Sequence, residues 1–327
     1  MAVAADARRG GVMPARVASA AWAQLRALRY AGPRHAGGWM PAPDAAWVAR
    51  RARALDHQGM AATVGYFQAD DADAGQVFAA NRALLGQWPN PHGTACLAVK
   101  APPMRFALPA IFALAQAAAR VDVPLIFDAH GPADAARTLA LVDQLLPDFP
   151  GTGAVLPARW ARSQMDARHL RDSMARVRVV RGEWPDAPDT PQAPDMCDAP
   201  HFAPAPAHGW GGVDGFAGDD AAFLRLIGIL AGRAAPVAVA THRPHVARAA
   251  LALLARAGTP CELELLRGLP ARACRAVAGE MGVAVRYYLP FGPGWWPYAI
   301  NKALARPDLP LAFARDWWAA RRVEHAG

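Results

Sequence analysis

The sequence predicts an α/β protein built as a (β/α)8 barrel, and three observations carry that prediction. Short runs of aliphatic and β-branched residues alternate with amphipathic helical patterns along most of the 327 residues. Most neighbouring strand ends are about 20 to 30 residues apart, which is the length of one strand-helix unit. No G-x-G-x-x-G motif follows an early strand, so a doubly wound dinucleotide-binding sheet is disfavoured. Repeated units without that motif favour a closed barrel.

The first elements are two helical patterns, at 44–57 and 72–85, with a short strand-like run at 61–67 between them. A regular alternation follows. Seven strand-like runs are predicted to end near Lys100, Asp128, Leu156, Arg181, Thr241, Leu266 and Leu289. Helical patterns separate most of them, at 109–120, 133–146, 164–175, 220–232, 244–257 and 270–281.

One interval breaks this regularity. The distance from Arg181 to Thr241 is about twice the usual spacing, so we expect a further strand, the fifth, within residues 185–219. Its position is placed near 197–202 or 213–216, because the rest of this stretch is rich in Pro and Gly.

The two ends of the chain are predicted to lie outside the barrel, which we expect over 41–312. Residues 1–40 are rich in Ala and Arg and predict a loosely ordered extension with a helical pattern at 17–30. Their composition also resembles a transit peptide, although no continuous apolar segment of a secretory signal is present. Residues 313–327 predict a helical tail. The longest apolar runs are shorter than the roughly 20 residues that cross a bilayer, so no membrane span is predicted.

The composition limits the possible partners and the compartment. The net charge is +8, but the arginines are spread along the chain and form no basic stripe, which argues against nucleic-acid binding. Four cysteines without C-x-x-C spacing indicate reduced thiols and a cytoplasmic protein. The 35 basic residues include just two lysines, Lys100 and Lys302. A general composition bias toward arginine explains the scarcity of lysine, and against that bias the two retained lysines mark positions where a compact ammonium could replace an arginine fork.

Polar residues occur where the predicted strands end. In a (β/α)8 barrel the carboxyl ends of the strands form the active site. The residues expected at this end are Lys100, Asp128, Arg178, Arg181, Thr241, His242, Glu264 and Tyr288. The spacing of His242 and His245 would also allow a metal site with His201 and His208, but no carboxylate partner is evident, and a metal-dependent barrel hydrolase remains an alternative.

The strand ends, taken in order, resemble the proline dehydrogenase family. The segments that carry the resemblance are AVK at 98–100, FDA at 127–129, RVVRG at 178–182, ATH at 240–242, ELELLRG at 262–268 and YLPFGPGWWPY at 288–298. The resemblance covers about residues 45–307. It implies a distorted (β/α)8 flavoenzyme that binds FAD without a dinucleotide-binding fold. It also implies oxidation of proline, with electrons passed to a membrane quinone, and leaves peripheral contact with the inner membrane open.

The resemblance also implies roles for individual residues. Arg178 matches the arginine that hydrogen-bonds the flavin N5. The other residues expected at the cofactor are Arg181, Gly182, Thr241, His242 and Glu264. The residues expected at the substrate are Lys100, Asp128, Trp184, Tyr288, Asn301 and Lys302. Without the resemblance, the same residues have a structural interpretation. Lys100 and Asp128 would then be a structural ion pair, and His242 a hydrogen-bonded core residue.

Several positions depart from the family pattern. Asn301 and Lys302 stand where the family has two adjacent arginines, so a bidentate fork is replaced by an amide and a point charge. Pro157 replaces a glutamine, and Glu264 and Arg267 replace a glutamine and a tyrosine. We expect the flavin scaffold to be better preserved than the proline pocket. An alternative is therefore a flavin-binding barrel with another substrate or little activity.

Overall fold

The computed structural model describes residues 42–88, 93–182, 186, 218–296 and 298–299. Within these ranges eight strands close into a barrel in sequence order. The predicted fold class is therefore confirmed. The expected extension at 1–40 and the tail at 313–327 fall outside the described residues, so the proposed domain boundaries stay predictions.

All neighbouring strands pair in parallel, and the first strand pairs with the last to close the barrel. The strands are β1 (Ala61–Tyr66), β2 (Ala95–Val99), β3 (Leu125–Phe127), β4 (Gly153–Pro157), β5 (Arg176–Val180), β6 (Val237–Ala240), β7 (Cys261–Leu266) and β8 (Ala284–Phe291).

Helices surround the barrel in the order that the periodicity predicted. They are α1 (Ala45–Asp56), α2 (Ala74–Leu85), α3 (Leu108–Ala119), α4 (Ala135–Leu145), α5 (Ser163–Leu170), α6 (Gly218–Leu230), α7 (Pro244–Arg256) and α8 (Arg272–Glu280). Asp73 and Gln76 form a capping box at the start of α2, which satisfies two backbone N–H groups. No helix among the described residues has the length and apolar character needed to span a membrane.

The expected fifth strand within 185–219 is wrong as a barrel element. Strand β5 pairs directly with β6, with Val177 opposite Val237 and Val180 opposite Ala240. The run that became β1 occupies the remaining place in the barrel. An eight-stranded barrel with every edge paired leaves no edge for another strand. The interval between β5 and α6 therefore contributes no strand to the barrel, and the positions expected for it, 197–202 and 213–216, lie outside the described residues.

The side chains of the strands divide into two layers because successive residues point to opposite faces. The outward layer is apolar and packs against the helices, as Leu97, Val179 and Leu263 do. The inward layer combines small or apolar residues with charged ones. Its apolar cluster consists of Cys96, Ala98, Ile126, Val155 and Tyr288. The small side chains leave room inside the barrel for long charged ones.

Candidate active site

Four charged side chains and one tyrosine, each from a different strand, meet inside the barrel near its carboxyl end. Lys100 and Asp128 directly follow β2 and β3, while Arg178, Glu264 and Tyr288 lie within β5, β7 and β8. All five positions were expected at a common site from the sequence. The structure brings them into contact, because alternation places each of them on the inward face of its strand.

Asp128 lies at the centre of this cluster and is held from three sides. Its Oδ1 accepts a hydrogen bond from Arg178 Nη1 at 3.0 Å, and its Oδ2 accepts one from the Tyr288 hydroxyl at 2.8 Å. The Nζ of Lys100 is 3.7 Å from Oδ2. These contacts orient two cations and a phenol around one carboxylate, so Asp128 fixes the polar wall of the site.

Lys100 is positioned by the first strand as well as by Asp128. Its Nζ donates to the backbone carbonyl of Tyr66 at 2.9 Å and is 3.9 Å from the centre of the Phe67 ring. An ammonium over an aromatic face is attracted by the negative face of the ring. The ammonium therefore stays at the barrel mouth although its stem is largely buried.

Arg178 and Glu264 form the deeper half of the cluster. Arg178 Nε is 3.5 Å from Glu264 Oε2, and its guanidinium carbon is 4.6 Å from the centre of the Tyr288 ring. Burial alone would lower the pKa of Arg178, but the carboxyls of Glu264 and Asp128 outweigh it and raise that pKa. Within the described part of the chain, Arg178 Nε and Glu264 Oε1 are buried without a hydrogen-bond partner.

Tyr288 is fixed against the neighbouring strand, β1. A Cβ at Gly65 of β1 would collide with the Tyr288 hydroxyl, so the ring fills the space that this glycine leaves. Burial, followed by the neighbouring Asp128, raises the pKa of Tyr288 well above its ordinary value. The phenol therefore remains a hydrogen-bond donor over the whole physiological pH range.

Aromatic side chains cover one side of the cluster. Phe67 packs edge-on against Tyr288 and Trp295, with ring centres 6.4 Å and 5.6 Å apart. Tyr298 stacks on Trp295 at 5.6 Å and lies 5.0 Å from Phe67. Phe67 was not predicted as a site residue. Its position directly after β1, in line with Lys100 and Asp128, is the signal that could have identified it.

The residues expected at the cofactor line the rim from β5 to β7. Arg181 is half exposed and its Nε donates to Asp219 Oδ2 at 2.7 Å. Gly182 has a φ of 96°, and a Cβ there would meet the Pro157 side chain at 2.8 Å, so this turn requires glycine. The Thr241 hydroxyl accepts a hydrogen bond from the Arg243 N–H.

Both ring nitrogens of His242 contact the backbone. Its Nε2 accepts from the Leu266 N–H at 2.9 Å, so its Nδ1 carries the proton and donates to the Pro270 carbonyl at 2.8 Å. These bonds connect the ends of β6 and β7. His245 lies apart, 3.5 Å from Asp220 on the surface. The described residues contain no cluster of three or more potential metal ligands, and His201 and His208 are outside them.

Three expected substrate residues, Trp184, Asn301 and Lys302, fall outside the described residues. Arg267, which departs from the family pattern, points away from the cluster, with its guanidinium 4.8 Å from the centre of the Trp47 ring. The pairing of Lys100 with Lys302 across the barrel mouth therefore stays a prediction.

A second charged layer lies beneath the first and was missed by the sequence reasoning. Glu262 accepts hydrogen bonds from Arg176 and, at 2.6 Å, from Arg286 Nε. Burial would raise the pKa of Glu262, but the two arginines outweigh burial and lower it. Charged residues two positions apart, Arg176 with Arg178 and Glu262 with Glu264, are the sequence signal for two charged layers.

Comparison with known proteins identifies relatives of low identity. No family model matches the chain. Proline dehydrogenase 1 of Bacillus subtilis strain 168 is 24% identical over 204 residues, which are 62% of this chain and 60% of that protein. The protein of the same name from Bacillus subtilis subsp. natto gives the same values. The matched part thus spans less than two thirds of these curated relatives.

Two solved structures with a similar fold come from much longer proteins. Proline utilization A from Bdellovibrio bacteriovorus, inactivated by N-propargylglycine, superposes with a TM-score of 0.61 and 16% identity. The match covers 80% of this chain and 32% of that one. The protein of the same name from Corynebacterium freiburgense gives a TM-score of 0.58 and 16% identity, over 90% of this chain and 33% of that one. The resemblance to the proline dehydrogenase family, as a divergent relative, is confirmed.

Proposed function

We propose that this chain is an FAD-dependent dehydrogenase that oxidises proline, or a related cyclic imino acid, to the corresponding cyclic imine. One observation carries the proposal: Lys100, Asp128, Arg178 and Tyr288 converge through direct contacts at the carboxyl end of a barrel related to proline dehydrogenases. This end of a (β/α)8 barrel is where active sites form. A structural ion pair alone would not require an ammonium, a guanidinium and a phenol around one carboxylate.

The described residues fit the chemistry of a flavin. Arg178 provides a buried cation whose Nε–H has no hydrogen-bond partner among the described residues, although it lies 3.5 Å from Glu264 Oε2. A cation fixed beforehand stabilises negative charge that develops beside it, without reorganisation. Arg181, Gly182, Thr241, His242 and Glu264 are the other residues that would hold the cofactor. When bound, FAD supplies the acceptor for the hydride and passes the electrons on to a quinone, which is where we place contact with a membrane surface.

The substrate would bind between the two cations and the aromatic wall. We assign the carboxylate to Lys100, with Lys302 as the second positive contact and Asn301 and Trp184 beside it. The Tyr288 ring would contact the apolar ring of the substrate, while its hydroxyl and Arg178 stay bonded to Asp128. Phe67, Trp295 and Tyr298 would exclude water from the reacting carbon.

The spectrum of the flavin tests this proposal directly. The full chain, purified and incubated with FAD, should be yellow, and proline added without oxygen should bleach the flavin band. Arg178→Ala should lose the cofactor or slow bleaching by about 100-fold, the usual cost of one preorganised donor. Arg168→Ala, which changes an exposed arginine of α5, is the control and should behave as the unchanged protein.

Two results would contradict the proposal at different levels. A chain that stays colourless with FAD would remove flavin chemistry altogether. A yellow chain that proline does not bleach would instead support the alternative of a flavin-binding barrel with another substrate or little activity. Screening hydroxyproline and piperidine carboxylate by the same bleaching assay would then distinguish a barrel with another substrate from one with little activity.

A further inference from the structure

Phe67 contacts both the ammonium of Lys100 and the aromatic side chains that cover the site. The Lys100 Nζ lies 3.9 Å from the centre of the Phe67 ring. The same ring packs against Trp295 and Tyr298, whose ring centres are 5.6 Å and 5.0 Å away. Phe67 therefore joins a cation of the site to its aromatic wall.

The position of Phe67 is fixed by β8 and the residues that follow it. The Phe67 N–H donates to the Phe291 carbonyl at 2.7 Å, and the Phe67 carbonyl accepts a hydrogen bond from the Gly294 N–H at 2.9 Å. A Cβ at Gly294 would collide with the carbonyl oxygen of Gln68, so the two chains can approach this closely only with glycine there. Because both backbone groups of Phe67 are bonded, its ring has a fixed place beside Lys100.

A carbonyl, a carboxylate and an aromatic ring lie next to the Lys100 ammonium. The Lys100 side chain is 15% exposed, so water solvates it only in part. Its Nζ donates to the Tyr66 carbonyl at 2.9 Å, whereas Asp128 Oδ2 is 3.7 Å away and already accepts a hydrogen bond from another side chain. Asp128 therefore attracts the ammonium without a direct hydrogen bond, and the face of the Phe67 ring adds a further attraction.

The face of the Phe67 ring is the part of this arrangement that an ordinary core residue would not supply. A leucine would fill most of the same space, but it has no negative face to turn toward a cation. Without that attraction, the flexible four-carbon stem of Lys100 would be free to reach water or to move toward Asp128. In either case the ammonium would leave the point at which it now lies.

We propose that Phe67 is a positioning residue of the candidate active site, whose ring face and the adjacent Tyr66 carbonyl hold the Lys100 ammonium at one point of the barrel mouth before a ligand arrives. In this role Phe67 acts through Lys100. A cation that is already in place binds an anionic group without the entropy cost of ordering its side chain. That this group is the carboxylate of a cyclic imino acid rests on the proposed function, but the placement of Lys100 by Phe67 does not.

Nuclear magnetic resonance can observe this placement directly, because the chain contains just two lysines, Lys100 and Lys302. Lysine labelled with carbon-13 at the ε-carbon gives the full chain one signal from each, and Lys302→Arg identifies the signal of Lys100. Protons above an aromatic face are shielded, so the ε-protons of Lys100 should lie upfield of their usual position. An unshielded Lys100 signal in the unchanged protein would overturn the proposal, whether or not any variant folds.

Phe67→Leu should return the Lys100 signal toward the position of a solvated lysine. Phe112→Leu is the matched control, since Phe112 of α3 packs against Phe149 in the outer layer and should leave that signal unchanged. In urea unfolding, Phe67→Leu should raise the unfolding constant about 2- to 30-fold less in a Lys100→Met background, because the contact with the ammonium is then absent. A signal that stays shielded in Phe67→Leu, or equal losses of stability in both backgrounds, would overturn the proposal.

The consequence for the ligand is tested by bleaching of the flavin with proline in the FAD-incubated full chain. Phe67→Leu should raise the KM for proline about 2- to 30-fold and change the rate at saturating proline by a smaller factor. An unchanged KM, or a loss confined to the saturating rate, would overturn the proposal. If proline never bleaches the unchanged protein, the proposed function fails while the resonance and unfolding results still decide the placement of Lys100, so the two failures can be told apart.

Discussion

At the scale of the residue, the Tyr288 hydroxyl shows how much of the site depends on one buried carboxylate. It donates to Asp128 at 2.8 Å from a ring that is almost fully buried. Tyr288→Phe keeps the ring but leaves one oxygen of Asp128 with a weaker set of donors. We expect the free energy of unfolding to fall by about 1–2 kcal/mol, measured by urea unfolding at pH 7.

Tyr287→Phe is the matched control for that change. Tyr287 is the neighbouring residue of β8, and it points to the outer face, where it packs against the apolar layer. Removing its hydroxyl should change stability by less than about 0.5 kcal/mol. Equal losses of unfolding free energy in the two variants would show that the Tyr288–Asp128 hydrogen bond contributes no more to stability than the hydroxyl of Tyr287 does.

The sequence predicted the members of the site better than their contacts. Lys100, Asp128, Arg178, Glu264 and Tyr288 could be identified because strand ends of a parallel barrel converge. Their partners could not, since a linear pattern does not show how far a long side chain reaches across the barrel. Arg286 illustrates this: it contacts Glu262 and also donates to the carbonyls of Ala62 and Thr94, which are far away in sequence.

At the scale of the element, strand β1 shapes the site mainly through Gly65, a residue without a side chain. Gly65 lies where a Cβ would occupy the position of the Tyr288 hydroxyl. Gly65→Ala should therefore displace the phenol from Asp128 and reduce stability by about 1–3 kcal/mol, as overpacking does. Thermal unfolding measures the loss, and the Tyr288→Phe background should reduce it in part, because the closest clashing atom, the hydroxyl oxygen, is then absent while the ring carbon that carried it remains.

Gly228 in α6 provides the comparison for that substitution. A Cβ there would meet nothing within 4 Å, and the residue sits inside a helix. Gly228→Ala should raise stability by about 0.5–1 kcal/mol because alanine loses less backbone entropy. A loss at both glycines would indicate that backbone conformation, and not the Tyr288 contact, determines the effect at Gly65.

The sequence predicted helices and strands correctly where the hydrophobic periodicity was strong. The prediction failed where the spacing between strands was the only evidence. The helix expected at 164–175 ends at Leu170, where the Ser173 hydroxyl bonds the Leu170 carbonyl and stops the helical ladder. The expected fifth strand rested on spacing alone. Spacing cannot distinguish a missing strand from a long connection, whereas the pairing of β5 with β6 does so at once.

At the scale of the whole molecule, the barrel is organised around a charged interior. The upper layer joins Lys100, Asp128, Arg178 and Glu264, and the lower layer joins Arg176, Glu262 and Arg286. Small residues such as Ala98 and Gly65 make room for these long side chains. The lower layer supports the upper one, because Arg176 and Arg178 come from one strand and Glu262 and Glu264 from another.

Glu262 of β7 should make the stability of the barrel depend on pH. Arg286 and Arg176 hold the pKa of Glu262 below its ordinary value of 4.5, so the unfolded chain binds its proton more readily than the native chain does. The stability from Glu262 is then fully present above pH 4.5 and is lost as the pH falls through the lower, native pKa.

Glu262→Gln should cost about 3–5 kcal/mol at pH 7, because two buried arginines lose their partner. In denaturant unfolding from pH 7 downward, the gap between the two proteins should narrow below pH 4.5. A gap that stays constant into acid would show that the lower layer is not held by ionised Glu262.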